Sequence, residues 1–123
     1  MKAPIFAPPE FWEMPEEERA LLGCGPGRVG DYLVPDSFFG LSIRIACQVH
    51  DFMYRTGQSI TDKARADRVF MNNTMRIVNA AGGILRWPRK VLALFYYKMV
   101  DLYGGLSFWD GKNEGNEEKE VVV

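Results

Sequence analysis

The sequence has few of the residues on which many enzymes and metal sites depend. It contains one histidine and two cysteines in 123 residues. Two cysteines are too few for a disulfide-rich scaffold, and with one histidine they cannot form a structural zinc site unless acidic side chains join them. Any chemistry that requires an imidazole must therefore take place at His50.

Long apolar runs are also missing. The most apolar stretch, residues 91–100, is interrupted by Lys98 and is far shorter than the ~20 residues that a membrane-spanning helix requires. The first residues include one lysine and several prolines but no apolar run of signal-peptide length. We therefore expect a cytoplasmic protein, in which cysteines are reduced by default.

The composition is that of one ordinary globular domain. Hydrophobic residues make up 47% of the chain and charged residues 25%, which excludes general disorder. The net charge of −1 averages three blocks: −4 over residues 1–36, +7 over residues 37–100 and −4 over residues 101–123. A basic centre favours an anionic ligand, although arginines on the solvent faces of helices would give the same pattern. No nucleic-acid-binding motif accompanies the basic residues, so we expect no nucleic acid partner.

The spacing of apolar residues predicts an all-α fold. Prolines concentrate in the first 35 residues, which predicts an irregular arm over residues 1–14 and a short helix from Pro15 that stops at Gly23. No alternating pattern of strand length is present. Three longer helices are predicted, from about residue 39 or 40 to 55, from about 61 to 81, and from 87 or 88 to 103.

These elements divide the chain into three parts. Residues 1–22 form the arm and the short helix, and residues 23–109 form the main domain, which begins with a glycine-rich loop. Residues 110–123 are rich in glycine, asparagine, lysine and glutamate, and we expect a disordered acidic tail there.

The most informative segment is the one around the single histidine. On a helix, His50 and Tyr54 share a face, whereas Asp51 lies about 100° from His50. Neighbouring residues on a helix do not face each other, so Asp51 can hold a cation beside the imidazole but cannot orient it. The next helix offers a second acid, Asp67. His50 and Asp67 are almost equidistant from the turn near residue 59, so antiparallel packing would place them opposite each other.

This segment resembles the active-site helix of phospholipase A2 enzymes. The resemblance rests on a Cys-x-x-His-Asp-x-x-Tyr pattern formed by Cys47, His50, Asp51 and Tyr54, and it is closest to short bacterial and fungal members. The Ala-Asp pair at residues 66–67 is similar to the segment that viral members carry after the His-Asp helix.

The stretch Gly23–Gly27 is similar to the calcium loop of the same family. Its Gly-Pro-Gly matches the form found in parvovirus capsid phospholipases. The loop has fewer glycines and aromatic residues than the fuller family pattern, and its separation from His50 is longer.

The resemblance implies a phospholipase A2-like core in which two antiparallel helices carry the site and a third packs against them. It implies calcium-dependent hydrolysis of the sn-2 ester of glycerophospholipids at a membrane surface. His50 would take a proton from the attacking water, Asp67 would orient the imidazole, and Tyr54 would hydrogen-bond Asp67. Asp51 would bind Ca²⁺ together with backbone carbonyls of Cys24, Gly25 and Gly27, because calcium takes six to eight oxygen ligands.

The resemblance also suggests a role for the two cysteines. In secreted members a calcium-loop cysteine bonds the cysteine three residues before the histidine, and Cys24 and Cys47 occupy the matching places. The alternative is a pair of buried free thiols, as is usual in the cytoplasm. The sequence leaves both alternatives open.

A second function also fits the sequence. The chain can keep the fold and the His-Asp pair and serve as a catalytically weak or inactive binding or assembly module of a phage or prophage. That reading places the protein in a virion, in agreement with the viral resemblance.

Overall fold

The computed structural model of the chain describes residues 3–23, 37–103 and 108–109. Over these ranges the protein is mainly α-helical, as predicted, with one two-stranded antiparallel hairpin. In the same ranges, no helix is both long and apolar enough to cross a membrane. The elements are α1 (Pro9–Glu13), α2 (Glu16–Arg19), β1 (Ser37–Phe38), β2 (Leu41–Ser42), α3 (Arg44–Thr56), α4 (Ile60–Ala81) and α5 (Arg86–Tyr103).

The turn between α3 and α4 depends on a glycine. A Cβ atom on Gly57 would lie 2.9 Å from the Met53 carbonyl oxygen and 2.9 Å from Phe108 Cε1, closer than a side chain tolerates. A capping box then starts α4, in which the Asp62 N–H donates to Ser59 Oγ and the Ser59 N–H donates to the Asp62 carboxylate. Because so few residues connect the helices, α3 and α4 pack as an antiparallel pair.

Two groups of buried side chains form the core, and both α3 and α4 contribute to each group. The first group contains Phe38, Ile43, Ala46, Cys47, Phe70, Ile77, Val78, Ala93 and Val100. The second group contains Phe11, Leu22, Val49, Met53, Tyr54, Ala66, Val69 and Phe108. Val49 and Tyr54, which flank His50 on α3, belong to the second group, and the His50 ring lies 5.0 Å from that of Phe70 in the first group.

The N-terminal arm is attached to α4 through a buried asparagine. The Phe6 N–H donates to Asn73 Oδ1 over 2.9 Å, and Asn73 Nδ2 donates to the Phe6 carbonyl over 2.8 Å. The irregular arm predicted over residues 1–14 is wrong in one respect, because α1 occupies Pro9–Glu13. Proline at the first helical position suits such a start, and the wholly buried Phe11 fixes this short helix against the core.

Because of the hairpin, α3 begins later than the sequence predicts. The sequence predicts this helix from residue 39 or 40, whereas it begins at Arg44. Phe39 (φ 46°) and Gly40 (φ 81°) instead form the tight turn of the hairpin. Arg89 of α5 donates to the carbonyls of Phe38 and Phe39 over 3.1 Å and 2.7 Å, and these bonds hold the turn in place.

Several predictions from the sequence lie outside the described residues. They are the acidic tail at residues 110–123 and the glycine-rich loop residues 24–36, which include Cys24, Gly25 and Gly27.

Candidate active site

The antiparallel packing of α3 and α4 brings the single histidine to the predicted aspartate. His50 Nε2 lies 2.8 Å from Asp67 Oδ1. The Asp67 side chain is wholly buried, whereas the His50 side chain remains 12% exposed. The imidazole is therefore hydrogen-bonded to Asp67 through Nε2, and part of the ring remains exposed to solvent.

Asp67 accepts hydrogen bonds at both carboxylate oxygens. Tyr54 donates its hydroxyl to Oδ1 over 2.6 Å, and Lys63 Nζ donates to Oδ2 over 2.9 Å. Burial alone would raise the pKa of Asp67, but the hydrogen bonds from His50, Tyr54 and Lys63 and the charge of His50 outweigh it and lower the pKa. The carboxylate is therefore ionised at neutral pH and can only accept, so His50 Nε2 carries the hydrogen of this bond.

Tyr54 serves this arrangement as a fixed donor. Burial and, after it, the charge of Asp67 raise the pKa of Tyr54 far above its ordinary value, so the hydroxyl keeps its proton. Its ring centroid lies 4.1 Å from that of His50, and the Phe70 ring lies 5.0 Å from the imidazole. The imidazole is thus in contact with two aromatic rings as well as with Asp67.

The other imidazole nitrogen, Nδ1, has a different environment. It makes no hydrogen bond to any residue in the described ranges. With Nε2 protonated, the neutral ring has its lone pair on Nδ1. This nitrogen is placed to accept a proton, and Asp67 is placed to stabilise the imidazolium that results.

Asp51 lies one residue after the histidine and has its own two partners. Its side chain is 7% exposed, the Gly23 N–H donates to Oδ2 over 3.3 Å, and Arg55 Nε lies 3.1 Å from Oδ1. Among the described residues, Asp51 makes no hydrogen bond or ion pair to Asp67 or to His50, in agreement with the helix geometry. A nearly buried carboxylate is a suitable oxygen ligand for calcium, but Arg55 already occupies one of its oxygens.

Arg44 holds the chain that leads into the glycine-rich loop. Its Nη2 donates to the carbonyls of Ala20 and Leu22 over 2.9 Å and 3.4 Å. These bonds fix the residues just before Gly23 and so bring the first residue of the predicted calcium loop to Asp51. In the described part of the chain, no group of three or more His, Cys, Asp or Glu side chains is placed to hold a metal ion. The loop ligands that the resemblance implies are backbone carbonyls, which such a group does not include.

Cys47, one turn before the histidine on α3, is buried and disulfide-bonded. The reduced state expected for a cytoplasmic chain is therefore not the state of Cys47 in this structure. The other cysteine of the chain, Cys24, lies outside the described residues.

Two contacts in the candidate site do not follow from the motif. Lys63 on Asp67 and Arg55 on Asp51 are both i,i+4 pairs on their helices, and that spacing is visible in the sequence. The spacing alone does not reveal them, because most such pairs are exposed and contribute little.

Comparison with known proteins adds no assignment to this geometry. No family model matches the chain, and neither a curated protein nor a solved structure matches it. The site defines a class by its geometry alone, namely a mainly α-helical protein with an aspartate-oriented histidine on an antiparallel helix pair.

Proposed function

We propose that the protein is a calcium-dependent, phospholipase A2-like hydrolase that cleaves the sn-2 ester of glycerophospholipids. The observation that carries this proposal is the 2.8 Å contact between His50 Nε2 and Asp67 Oδ1, with Tyr54 on the same oxygen. The phospholipase A2 family uses a histidine and an aspartate in this relationship, and the sequence around both residues resembles that family.

In the proposed reaction, His50 acts as the general base. Its Nδ1 takes a proton from a water molecule whose oxygen attacks the ester carbonyl carbon, and Asp67 stabilises the imidazolium through Nε2–H. The tetrahedral intermediate then expels the glycerol alkoxide, which receives the proton from Nδ1. The products are a free fatty acid and a lysophospholipid, and His50 returns to its neutral form.

Asp51 is the proposed side-chain ligand for calcium. Calcium prefers oxygen ligands, and Asp51 is a nearly buried carboxylate beside the start of the glycine-rich loop. When bound, the ion supplies positive charge for the substrate phosphate and for the developing oxyanion. Arg55 would leave Asp51 Oδ1 on binding, and its 57% exposed side chain is free to turn towards solvent. Backbone carbonyls of the loop, at Cys24, Gly25 and Gly27, would complete the ligand set.

The exposed side of α5 supports the proposal that the substrate lies in a lipid membrane. On one side of α5, exposed apolar side chains recur at spacings of three, four and seven residues, and we call this set the outer face of α5. Lys98 lies within this face, and Lys90 Nζ lies 5.0 Å from the centre of the Trp87 ring. Apolar and aromatic side chains combined with lysines favour the surface of an anionic membrane. The outer face consists of Trp87, Val91, Leu94, Phe95 and Leu102.

The experiment that tests the activity uses vesicles of mixed phospholipid headgroups. Purified protein is incubated with them in calcium or in a calcium chelator, beside the variants His50→Gln and Arg68→Gln. Arg68 is exposed and adjoins Asp67 in the chain, so it controls for a substitution near the site that leaves the His-Asp pair intact. We expect release of fatty acid that requires calcium and His50 but not Arg68. No release under any condition, with no shift in melting temperature on addition of calcium, would contradict the proposal.

The binding or assembly module is the second candidate, and one contact favours it. Arg55 Nε lies 3.1 Å from Asp51 Oδ1, where the proposed enzyme needs calcium. A module of this kind, associated with a virion, would keep Arg55 on Asp51 and would not bind calcium. Calorimetric titration with calcium separates the two: binding that is lost in Asp51→Asn supports the enzyme, and no binding by the unaltered protein supports the module.

A further inference from the structure

Lys63 is a buried lysine that takes no part in the reaction described above. Its side chain is 7% exposed and lies on α4, one turn before Asp67. Burying an ammonium group is costly unless the surroundings compensate its charge. We propose that Lys63 is a positioning residue, which holds the Asp67 carboxylate in the orientation that fixes the imidazole of His50.

The surroundings of Lys63 match the three donors of its ammonium group. Nζ donates to Asp67 Oδ2 over 2.9 Å, to the Asp101 carbonyl over 3.2 Å and to the Val100 carbonyl over 3.4 Å. Both carbonyls belong to the last turn of α5, where carbonyls lack intrahelical donors and carry partial negative charge. Lys63 therefore joins the end of α5 to the carboxylate of the proposed catalytic pair.

The two oxygens of Asp67 have separate tasks. Oδ1 accepts from His50 and Tyr54, and Oδ2 accepts from Lys63. Without the ammonium group, Oδ2 would be wholly buried with no donor from the described residues. The carboxylate would then gain by rotating or by taking up a proton, and either change weakens the bond to His50 Nε2. Lys63 therefore affects the reaction through Asp67 and not by contact with the substrate.

A purely structural role is the alternative, in which Lys63 only fastens α5 to α4. The two roles differ in what they change. A structural lysine affects the melting temperature alone, whereas a positioning lysine also sets which nitrogen of His50 carries the proton. Lys63 pairs with the Asp67 carboxylate on its own helix and contacts the Asp101 carbonyl on α5, whereas His50 and Tyr54 contact Asp67 from α3.

The first test reads the tautomer directly and needs no enzymatic activity. Because the chain has one histidine, a long-range ¹H–¹⁵N spectrum contains the signals of a single imidazole. At a pH where the imidazole is neutral, we expect only the Nε2–H tautomer in the unaltered protein and in the control Arg68→Met. Lys63→Met should show a mixture of both tautomers. A pure Nε2–H tautomer in Lys63→Met would overturn the proposal.

The second test is a double-mutant cycle on hydrolysis, and it rests on the proposed function. Loss of an outer partner that orients a metal-bound histidine typically costs tenfold to a hundredfold, and we take the same scale for an outer partner of a catalytic histidine. We expect Lys63→Met to lower kcat by about that factor with KM changed by less than about twofold. In the Asp67→Asn background, Lys63→Met should lower kcat no further. Equal losses in both backgrounds would overturn the role through Asp67.

The outcomes keep the two proposals apart. If the unaltered protein releases no fatty acid, the proposed activity fails, and the tautomer measurement still decides the role of Lys63. If Lys63→Met does not fold, Lys63→Leu, which also lacks a donor for Asp67 Oδ2, replaces it in both tests with the same criteria. Melting temperatures measured in parallel separate loss of fold from loss of orientation.

Discussion

Tyr54 donates its hydroxyl to Asp67 over 2.6 Å, on the same oxygen that lies 2.8 Å from His50 Nε2. Tyr54 therefore supports the Asp67 carboxylate from α3 at Oδ1, whereas Lys63 supports it from α4 at Oδ2. Neither donor needs to reach the substrate, since each acts on the acid that orients the base.

Replacing Tyr54 with phenylalanine tests this support. Tyr54→Phe keeps the ring against His50 but removes a hydrogen bond to a charged acceptor, so we expect a loss of about 1.5–3 kcal/mol in the free energy of unfolding. His50 and Lys63 remain on Asp67, so kcat should fall by less than about tenfold. Urea unfolding and initial rates on vesicles measure both effects. Unchanged stability would show that the hydroxyl is not a donor to Asp67, and Tyr96→Phe, on a half-buried tyrosine of α5, is the control.

Acid unfolding should depend on Asp67. Its pKa in the folded protein lies below the ordinary value of 3.8, so it contributes stability that is present above that value and is lost as the pH falls through the folded pKa. Asp67→Asn leaves Lys63 buried without its counter-ion, which costs about 3–5 kcal/mol at pH 7. The difference in unfolding free energy between the two proteins should therefore shrink below about pH 4. Chemical unfolding from pH 7 to pH 2 measures it, and a difference that stays constant would contradict the ionised state of Asp67.

Removing the arginine on Asp51 should strengthen calcium binding. Arg55 is more than half exposed, and exposed ion pairs contribute up to about 1 kcal/mol. Arg55→Gln frees Asp51 Oδ1, so we expect a calcium affinity about twofold to fivefold higher. Arg65→Gln, an exposed arginine on α4, is the matched control and should bind calcium like the unaltered protein. Weaker binding by Arg55→Gln in calorimetric titrations would show that Arg55 helps to build the calcium site rather than competing for it.

The outer face of α5 should determine binding to vesicles. Burying a large apolar side chain contributes about 1.5–3 kcal/mol, so the double variant Trp87→Ala/Phe95→Ala should lose at least about tenfold in partitioning onto anionic vesicles. Trp12, an exposed tryptophan on α1, provides the matched control through Trp12→Ala. Co-sedimentation with sucrose-loaded vesicles measures the partitioning. Equal losses in Trp12→Ala and in the double variant would contradict a specific role of α5.

Much of the helix pair that carries the site was predictable from the sequence. Helical spacing places His50 and Tyr54 on one face, and His50 and Asp67 are almost equidistant from the turn near residue 59. Both follow from local periodicity, which a sequence carries directly. The antiparallel helix pair that these features predict brings His50 into contact with Asp67.

The remaining features depend on conformations and contacts that local patterns do not encode. A phenylalanine with positive φ is rare, so the turn at Phe39 gives no sequence signal, and the start of α3 was predicted too early. The burial of Lys63 depends on where the last turn of α5 meets α4. That position is set by tertiary packing and not by the residues around Lys63.

The position of the bond that the protein cleaves decides whether it is an sn-2 hydrolase. Phospholipids with different acyl chains at sn-1 and sn-2 are incubated with the protein in calcium, and the products are identified by mass spectrometry. We expect equal amounts of the sn-2 fatty acid and of the lysophospholipid that keeps the sn-1 chain, and neither product with His50→Gln. Release of the sn-1 fatty acid, or release that persists in His50→Gln, would contradict the proposed function.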